Sequence, residues 1–336
     1  MTKIYGLLFA VLISGTVLAQ GSDFIITGRL NGFTGSDPIY LDEFSTSASG
    51  HIDSTVAVNG EFRFSGRIDE PAKQVMLRVG RTFDYKVFWL ENSVIRVHSE
   101  TAQMRDATVS GSKTQDDENQ LDSAIKATGR EMEQDTLFIQ SHPASIISIA
   151  ILSVYCTSWG KALTTRLYID LSEENRRSSY GQKVLDYIRF NRNLKIGDRY
   201  ADFEQPDVNG RMQSLSALHG KVVLLEFWGS WCTPCRQSNP ELVKIYNEFK
   251  DQGFEILGVA ADNHKEEWLK AIHDDGLPWI NVTDLRGDQN KAVLMYGVSY
   301  FPASFLIDRS GKIVARDLRG DALSNKLRGL LSPVQR

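Results

Sequence analysis

The stretch VVLLEFWGSWCTPCRQSNPELVKIYNEF, residues 222–249, places two cysteines between an apolar segment and an amphipathic one. The apolar segment ends at Trp228 and predicts a strand buried on both faces of a sheet. After a short turn, helical spacing of apolar residues begins around Cys232, and Cys235 follows three residues later. The stretch therefore predicts a strand–turn–helix unit with a CxxC motif at the amino end of its helix.

The position of the motif predicts redox chemistry. A thiol at a helix amino terminus lies near unpaired backbone N–H groups and the positive end of the helix dipole, and both favour the thiolate. Pro234 suits the first helical turn, where its missing N–H costs no hydrogen bond. We therefore expect Cys232 to be the nucleophile and Cys235, one turn on, to resolve the mixed disulfide formed on Cys232.

A CxxC motif can also bind zinc, attach haem or form a purely structural disulfide. A zinc site needs two further ligands, and none of the six histidines falls in a paired His or Cys motif. Covalent haem attachment requires His after the second cysteine, whereas Arg236 stands there. A purely structural disulfide closes too small a loop to add much stability. We expect no metal and no cofactor other than the Cys232–Cys235 disulfide itself.

Outward from this stretch, strand-like and helical segments alternate through residues 194–336. EILGVAAD and ASFLID predict further buried strands, and PELVKIYNEFKDQG and KEEWLKAIHDDG predict helices between them. Such alternation indicates an α/β domain with a mostly parallel sheet covered on both faces.

The preceding chain has a different character. Residues 22–110 show short alternating runs that predict an antiparallel all-β domain of about seven strands, with Asn59-Gly60 as a hairpin signal. Its aromatic residues fit either a binding face or, as we favour, a core under one sheet face. Residues 111–193 predict a helical connector segment, in which Cys156 lies in the most apolar helix and is expected to be a buried structural thiol.

The first residues have the layout of a secretory signal peptide, residues 1–19. Lys3 precedes the apolar run IYGLLFAVLI, and Val17 and Ala19 occupy the small-residue positions of a cleavage site before Gln20. The apolar run is too short to span a membrane. We expect an exported protein, located in the periplasm, without a stable membrane span after cleavage.

Composition excludes some classes of partner. With 336 residues, two or three domains are expected, and 42% hydrophobic with 24% charged residues is ordinary for a globular protein. The net charge of −4 and the lack of a basic stripe argue against nucleic acid as a partner. Three cysteines are too few for a disulfide scaffold, so a lone CxxC in an exported chain is expected to be functional.

Several motifs resemble those of the exported TlpA/ResA-like thiol-disulfide oxidoreductases, which have a thioredoxin-like fold. IGDRYADFEQPDVNGRMQSLSALHGK is similar to the lead-in hairpin of that family, and AADNHKEEWLKAIHDDGLPWINVTD to its extra helix–strand element. VSYFPASFLIDRSGKIV resembles the segment that carries the family's cis-proline, here Pro302, and Pro240 matches its helix-kinking proline. The amino-terminal β domain resembles a domain of unassigned function that often precedes such folds.

The resemblance implies further site residues. Pro302 is implied to be cis and part of the catalytic site, with the backbone of Phe301 offered to a bound peptide. Trp231 beside Cys232 is implied to contact substrate, although packing alone is an alternative, and Pro234 belongs to the same substrate-facing loop. Glu226 stands where cytoplasmic thioredoxins carry a buried acid, whereas many TlpA/ResA-like proteins carry Asn there. Because the run VVLLEFW is otherwise apolar, we expect Glu226 to accept the proton of Cys235; the alternative is a carboxylate that reaches solvent.

The resulting hypothesis is an enzyme, an exported thiol-disulfide oxidoreductase that reduces disulfides of envelope proteins. An upstream membrane thiol reductant would restore its dithiol. The alternatives are a disulfide oxidase or isomerase of the same fold, or an envelope ligand-binding protein with an accessory thioredoxin domain.

Overall fold

The computed structural model describes residues 23–44 and 50–332. The predicted signal peptide, residues 1–19, lies outside the described residues. The chain divides into two compact units, the first ending at Gln120 and the second beginning at Leu121. Each unit is described by itself.

The described residues of the first unit form two four-stranded sheets. The eight strands are β1 (Phe24–Leu30), β2 (Pro38–Glu43), β3 (His51–Val56), β4 (Glu61–Gly66), β5 (Lys73–Val79), β6 (Tyr85–Leu90), β7 (Val94–Ser99) and β8 (Thr108–Ser110). One sheet has the order β4-β1-β7-β8 and the other β3-β2-β5-β6. The predicted amino-terminal β fold is thus confirmed, with one parallel pairing, β1 with β7, among antiparallel ones.

Strand alternation explains where the core of this unit lies. In β1 and β4 alternate residues are buried, because successive side chains point to opposite faces of a sheet. Phe88 and Trp89 of β6 are each 1% exposed, so they belong to the interior, whereas Phe83 and Tyr85 are exposed. The interpretation as a core under one sheet face therefore holds for Phe88, which packs in the apolar cluster of this unit. Trp89, the next residue, points to the opposite face, where its indole N–H donates to Glu118.

The Asn59-Gly60 turn forms as predicted, but it does not make a two-stranded hairpin. Both residues have positive φ, 53° and 79°, and Val58 and Glu61 exchange two backbone hydrogen bonds. The flanking strands then separate, since β3 pairs with β2 and β4 pairs with β1. The turn carries the chain from one sheet to the other.

Helices follow the β strands. They are α1 (Lys113–Thr128), α2 (Glu131–Ser141), α3 (Ile146–Ile169), α4 (Glu173–Arg177) and α5 (Ser179–Phe190). Ser172 caps α4, its side chain accepting a hydrogen bond from the N–H of Asn175. Residues 113–190 are therefore helical, as the sequence indicated.

Helix α3 is long and apolar enough to cross a membrane by length and composition alone. Gly160 interrupts it with φ 78° and ψ 158°. The buried side of α3 packs on α2 and α5 in one apolar cluster that includes Ile139, Leu152, Cys156 and Val184. Of the most apolar 18-residue stretch of α3, 33% is buried, and Cys156 is buried as predicted.

The remaining chain is a mixed α/β domain with a thioredoxin-like fold. Its strands are β9 (Glu204–Pro206), β10 (Met212–Ser214), β11 (Val222–Trp228), β12 (Phe254–Ala260), β13 (Ile280–Val282), β14 (Ala303–Ile307) and β15 (Ile313–Arg316). Its helices are α6 (Thr233–Phe249), α7 (Lys265–Asp274), α8 (Lys291–Tyr296) and α9 (Gly320–Leu331). The central sheet has the order β13-β12-β11-β14-β15, and β9 pairs with β10 as the lead-in hairpin.

Strand β11 lies at the centre of this sheet, and all seven of its residues are buried. Val222, Leu224 and Trp228 pack into the apolar cluster that contains residues of α6, α7 and α9. Val223, Leu225 and Phe227 pack into the opposite cluster, with α8. Even-numbered residues of β11 thus face the α6 side, which places Glu226 on the same face as the helix of the CxxC motif.

Candidate active site

The CxxC motif lies where the sequence predicted it, at the start of α6. Cys232 is the residue that caps the helix, and its sulfur accepts a hydrogen bond from the backbone N–H of Cys235 at 3.2 Å. Pro234 lies in the first turn and so removes none of the helix's internal hydrogen bonds. A sulfur in this position is stabilised as a thiolate by the backbone N–H and the helix dipole.

The two cysteines form a disulfide with an S–S distance of 2.03 Å. In this oxidised form Cys232 is 4% exposed and Cys235 is 1% exposed. Both are buried, and Cys232 retains the slightly larger accessible surface. The difference in exposure between the two cysteines is narrow.

Aromatic side chains border the disulfide loop. Trp231 is 59% exposed, and its indole N–H donates to the carbonyl of Ala261 at 2.8 Å. Its ring meets that of Phe301 edge to face, with centroids 5.4 Å apart. The peptide bond between Phe301 and Pro302 is cis, as the resemblance implied. The structure thus brings Trp231 and the loop of Phe301 together beside the CxxC motif.

Glu226 is buried, with 4% of its surface exposed, so the alternative of a carboxylate that reaches solvent is wrong. Burial raises the pKa of this carboxyl to about 7, while Arg319 opposes the rise and Asp317 adds to it. A carboxyl with a pKa near neutrality can take up and release a proton under ordinary conditions. Its assignment as the proton acceptor of Cys235 stays a prediction.

Arg319 was not identified from the sequence. Its guanidinium makes two hydrogen bonds to the Glu226 carboxylate, each 2.9 Å long. The partners lie 93 residues apart in the chain, and no local motif links them. The available signal was indirect: an acid inside the apolar run VVLLEFW needs a partner, because an unpaired buried charge is costly.

Polar contacts fix the loop that precedes Cys232. The backbone N–H of Ser230 donates to the Asp262 carboxylate at 3.0 Å, and the Ser230 hydroxyl donates to the same group. On the next turn of α6, Arg236 forms two hydrogen bonds with Asp275. These contacts give Asp262 a part in holding the loop.

The arrangement suits thiol chemistry. In the part of the chain that the structure describes, no group of three or more His, Cys, Asp or Glu side chains is placed to hold a metal ion. The site offers a disulfide at a helix start, the exposed ring of Trp231 with the half-buried ring of Phe301 against it, and a buried acid on the preceding strand. These groups can exchange a disulfide with a substrate and move a proton.

Two family models match the chain. Residues 196–316 match the AhpC/TSA family, and residues 24–118 match a domain of unknown function, DUF4369. The first match contains the CxxC motif and the cis-proline segment. The second covers the strands of the first unit.

Curated relatives match the carboxy-terminal domain. The thiol-disulfide oxidoreductase ResA of Bacillus anthracis is 33% identical over 141 residues, which are 42% of this chain and 79% of that protein. ResA of Bacillus subtilis is 35% identical over 121 residues, 36% of this chain and 66% of that protein. Among solved structures, the thioredoxin domain of a thiol-disulfide oxidoreductase from Bacteroides vulgatus is 39% identical, covering 41% of this chain and 99% of that one, with a TM-score of 0.40.

Proposed function

Since this chain belongs to the ResA-like family of thiol-disulfide oxidoreductases, we propose that it is exported to the periplasm and reduces disulfides of envelope proteins. The observation that carries the proposal is the position of the Cys232–Cys235 pair at the amino end of α6. The buried acid Glu226 lies on the same side of the sheet as this helix.

The reaction starts from the dithiol. The Cys232 thiolate attacks one sulfur of the substrate disulfide, whose S–S bond breaks, and a mixed disulfide forms on Cys232. Cys235 gives up its proton to Glu226, and its thiolate attacks the Cys232 sulfur. The substrate leaves as two thiols after protonation, and the Cys232–Cys235 disulfide remains. Two electrons pass from the enzyme to the substrate.

The aromatic border supports a protein substrate. Trp231 presents exposed ring surface next to Cys232, and the half-buried ring of Phe301 meets it edge to face. Aromatic side chains are enriched where proteins contact one another. The backbone around Phe301 is suited to pair with an extended peptide that carries a cysteine. The dithiol must be regenerated after each turnover, and we assign that step to a membrane thiol reductant.

The direction of the reaction is tested by the reduction potential of the Cys232–Cys235 pair, measured by equilibration with a thiol redox buffer. We expect a value below about −230 mV, in the range of reducing proteins of this fold. A value near about −120 mV, which is typical of oxidants that introduce disulfides, would support the oxidase alternative instead.

Export is tested by mass spectrometry of the protein isolated from native cells. The layout of residues 1–19 supports a mature chain that begins at Gln20 and fractionates with the periplasm. A chain that retains Met1 in the cytoplasmic fraction would contradict the proposed location. That result would leave the thiol chemistry itself unaffected.

A further inference from the structure

The ion pair between Glu226 and Arg319 differs from a surface ion pair in its burial. The Glu226 side chain is 5% exposed and that of Arg319 is 29% exposed. The guanidinium binds both carboxylate oxygens, a bidentate geometry that fixes orientation as well as charge. A carboxylate held in this way cannot rotate freely beneath the motif.

Arg319 is itself held in place by the neighbouring strand. The same Nη1 atom that binds Glu226 also donates to the Ser304 hydroxyl at 2.9 Å. Ser304 is fully buried and is the residue of β14 that lies opposite Glu226 in the sheet. Arg319 occupies the extended position immediately before α9, and its side chain makes no capping hydrogen bond to that helix.

Asp317, two residues before Arg319, ties the segment that carries Arg319 to its neighbours. Asp317 accepts a hydrogen bond from the backbone N–H of Ser304 at 2.8 Å and one from the Tyr300 hydroxyl at 2.6 Å. The backbone N–H of Asp317 donates to the carbonyl of Ser304 at 2.9 Å. These contacts join the segment that carries Arg319 to β14 and to the residue before Phe301.

The charges that face Glu226 come from this one segment. Arg319 is the positive group and Asp317 is the negative one that act on it. Its partners in the adjacent strands, Gly258 and Ser304, carry no charge. On the α6 side, Cys235 becomes titratable once the disulfide is reduced. Arg319 therefore supplies the positive charge that favours the ionised form of Glu226.

We propose that Arg319 is a positioning residue that keeps the Glu226 carboxylate ionised and correctly oriented near neutral pH. The proposal rests on the proposed function, in which an ionised Glu226 accepts the proton of Cys235. Without Arg319 the buried carboxyl would stay protonated up to higher pH, because burial disfavours its charged form. The resolving step would then need a higher pH to reach the same rate.

The direct test is the titration of Glu226 in the full oxidised chain, in which Cys232 and Cys235 do not titrate. The ¹³C signal of its carboxyl is assigned by its disappearance in Glu226→Gln. We expect the midpoint to rise by about one pH unit or more in Arg319→Met, since the positive partner is removed. Arg319→Lys, which keeps a charge but loses the bidentate geometry, should lie between that variant and the wild type.

The matched control is Arg328→Met. Arg328 lies on the same helix, α9, and forms an exposed ion pair with Glu248. Its replacement should leave the Glu226 midpoint within about 0.2 unit of the wild-type value. If Arg319→Met does not fold, the test is made with Arg319→Lys alone, in which we expect the Glu226 midpoint to rise above the wild-type value.

The second readout is the pH profile of disulfide reduction by the full reduced chain. The acid limb of the profile is the pH range in which the rate falls as the pH is lowered. Its midpoint should move to higher pH in the order wild type, Arg319→Lys, Arg319→Met. An unchanged Glu226 midpoint in both variants overturns the proposal, and so does a moved midpoint with an unmoved acid limb. A wild-type chain that reduces no disulfide would instead overturn the proposed function, while the carboxyl titration would still show whether Arg319 controls Glu226.

Discussion

Cys232 combines a low exposed fraction with a helix-capping position, and the second feature governs its reactivity. Its sulfur faces the backbone N–H of Cys235 at 3.2 Å, at the positive end of α6. A thiolate there is stabilised relative to the thiol. The thiolate form of Cys156 is instead disfavoured, because burial raises the pKa of its thiol to about 12.

We therefore predict that alkylation of Cys232 in the reduced protein titrates well below about 8.5, the ordinary pKa of a free thiol. The rate is measured with iodoacetamide as a function of pH, and the modified residue is located by peptide mass spectrometry. Cys156 serves as the internal control and should react only after unfolding. Reaction of Cys232 only above that pH would show that the helix start does not activate it.

Glu226 is the second residue whose surroundings lead to a prediction. Its carboxyl has a pKa raised to about 7 by burial, and Gln has nearly the same shape without the ability to accept a proton. Glu226→Gln should slow disulfide reduction by roughly ten- to a hundred-fold near neutral pH, in the lower range of general-base effects. Steady-state kinetics measure the effect, and circular dichroism checks that the fold survives. Unchanged kinetics would leave Glu226 a structural residue.

At the scale of elements, helix α2 carries an acid in an unfavourable place. Asp135 is 3% exposed, on a helix whose first turn also carries Glu131 and Glu133. Burial raises its pKa to about 6, and the charges of Glu131 and Asp122 add to the rise. Because the folded-state pKa lies above the unfolded one, its stabilising contribution is present below about pH 4 and is lost as pH rises through 6.

Asp135→Asn removes this titration. Relative to the wild type, its free energy of unfolding should increase between about pH 4 and 6 and stay higher above pH 6, by about 1 to 2 kcal/mol. Urea unfolding at several pH values measures the difference. Glu133→Gln, at an exposed position of the same helix, is the control and should change the free energy by less than about 0.5 kcal/mol. A difference that does not depend on pH would contradict this account of Asp135.

Elements differ in how far the sequence determined them. The β11–α6 unit was predictable because its continuous apolar run, its CxxC motif and Pro234 all indicate the same local structure. The Asn59-Gly60 turn was predictable as a turn, but the partners of β3 and β4 depend on contacts distant in sequence. The residues of the turn determine the backbone conformation of the turn itself, but they do not determine the sheet to which each flanking strand belongs.

The residues of the candidate site also divide into those that the sequence predicted and one that it did not. Both cysteines, the cis-proline and the buried acid could be found from short motifs. Arg319 could not, because its role depends on a helix start that approaches β11 only in the folded chain. Nothing in the local sequence around Arg319 distinguishes it from an exposed arginine at a helix terminus.

At the scale of the whole molecule, the chain combines a ResA-like oxidoreductase domain with a two-sheet unit of the DUF4369 type. Disulfide exchange by the first requires that a substrate becomes covalently attached for part of each cycle. Experiments on the full chain therefore retain whatever the two-sheet unit contributes to the choice of substrate. A covalent intermediate with the substrate also distinguishes a disulfide-exchange enzyme from a protein that uses its CxxC motif to bind a metal ion.

The most direct test of the central claim is a comparison of mixed disulfides trapped by Cys235→Ser and by Cys232→Ser, both in the full chain. If Cys232 attacks and Cys235 resolves, Cys235→Ser retains attack but loses release. It should accumulate a covalent complex on Cys232 that added dithiol dissolves, and mass spectrometry identifies the trapped partner. Cys232→Ser should trap almost nothing, because Cys235 lies inside the helix and lacks the capping position that stabilises a thiolate. Equal trapping by both variants would contradict the assigned roles, and no trapping by either would contradict disulfide exchange at this site.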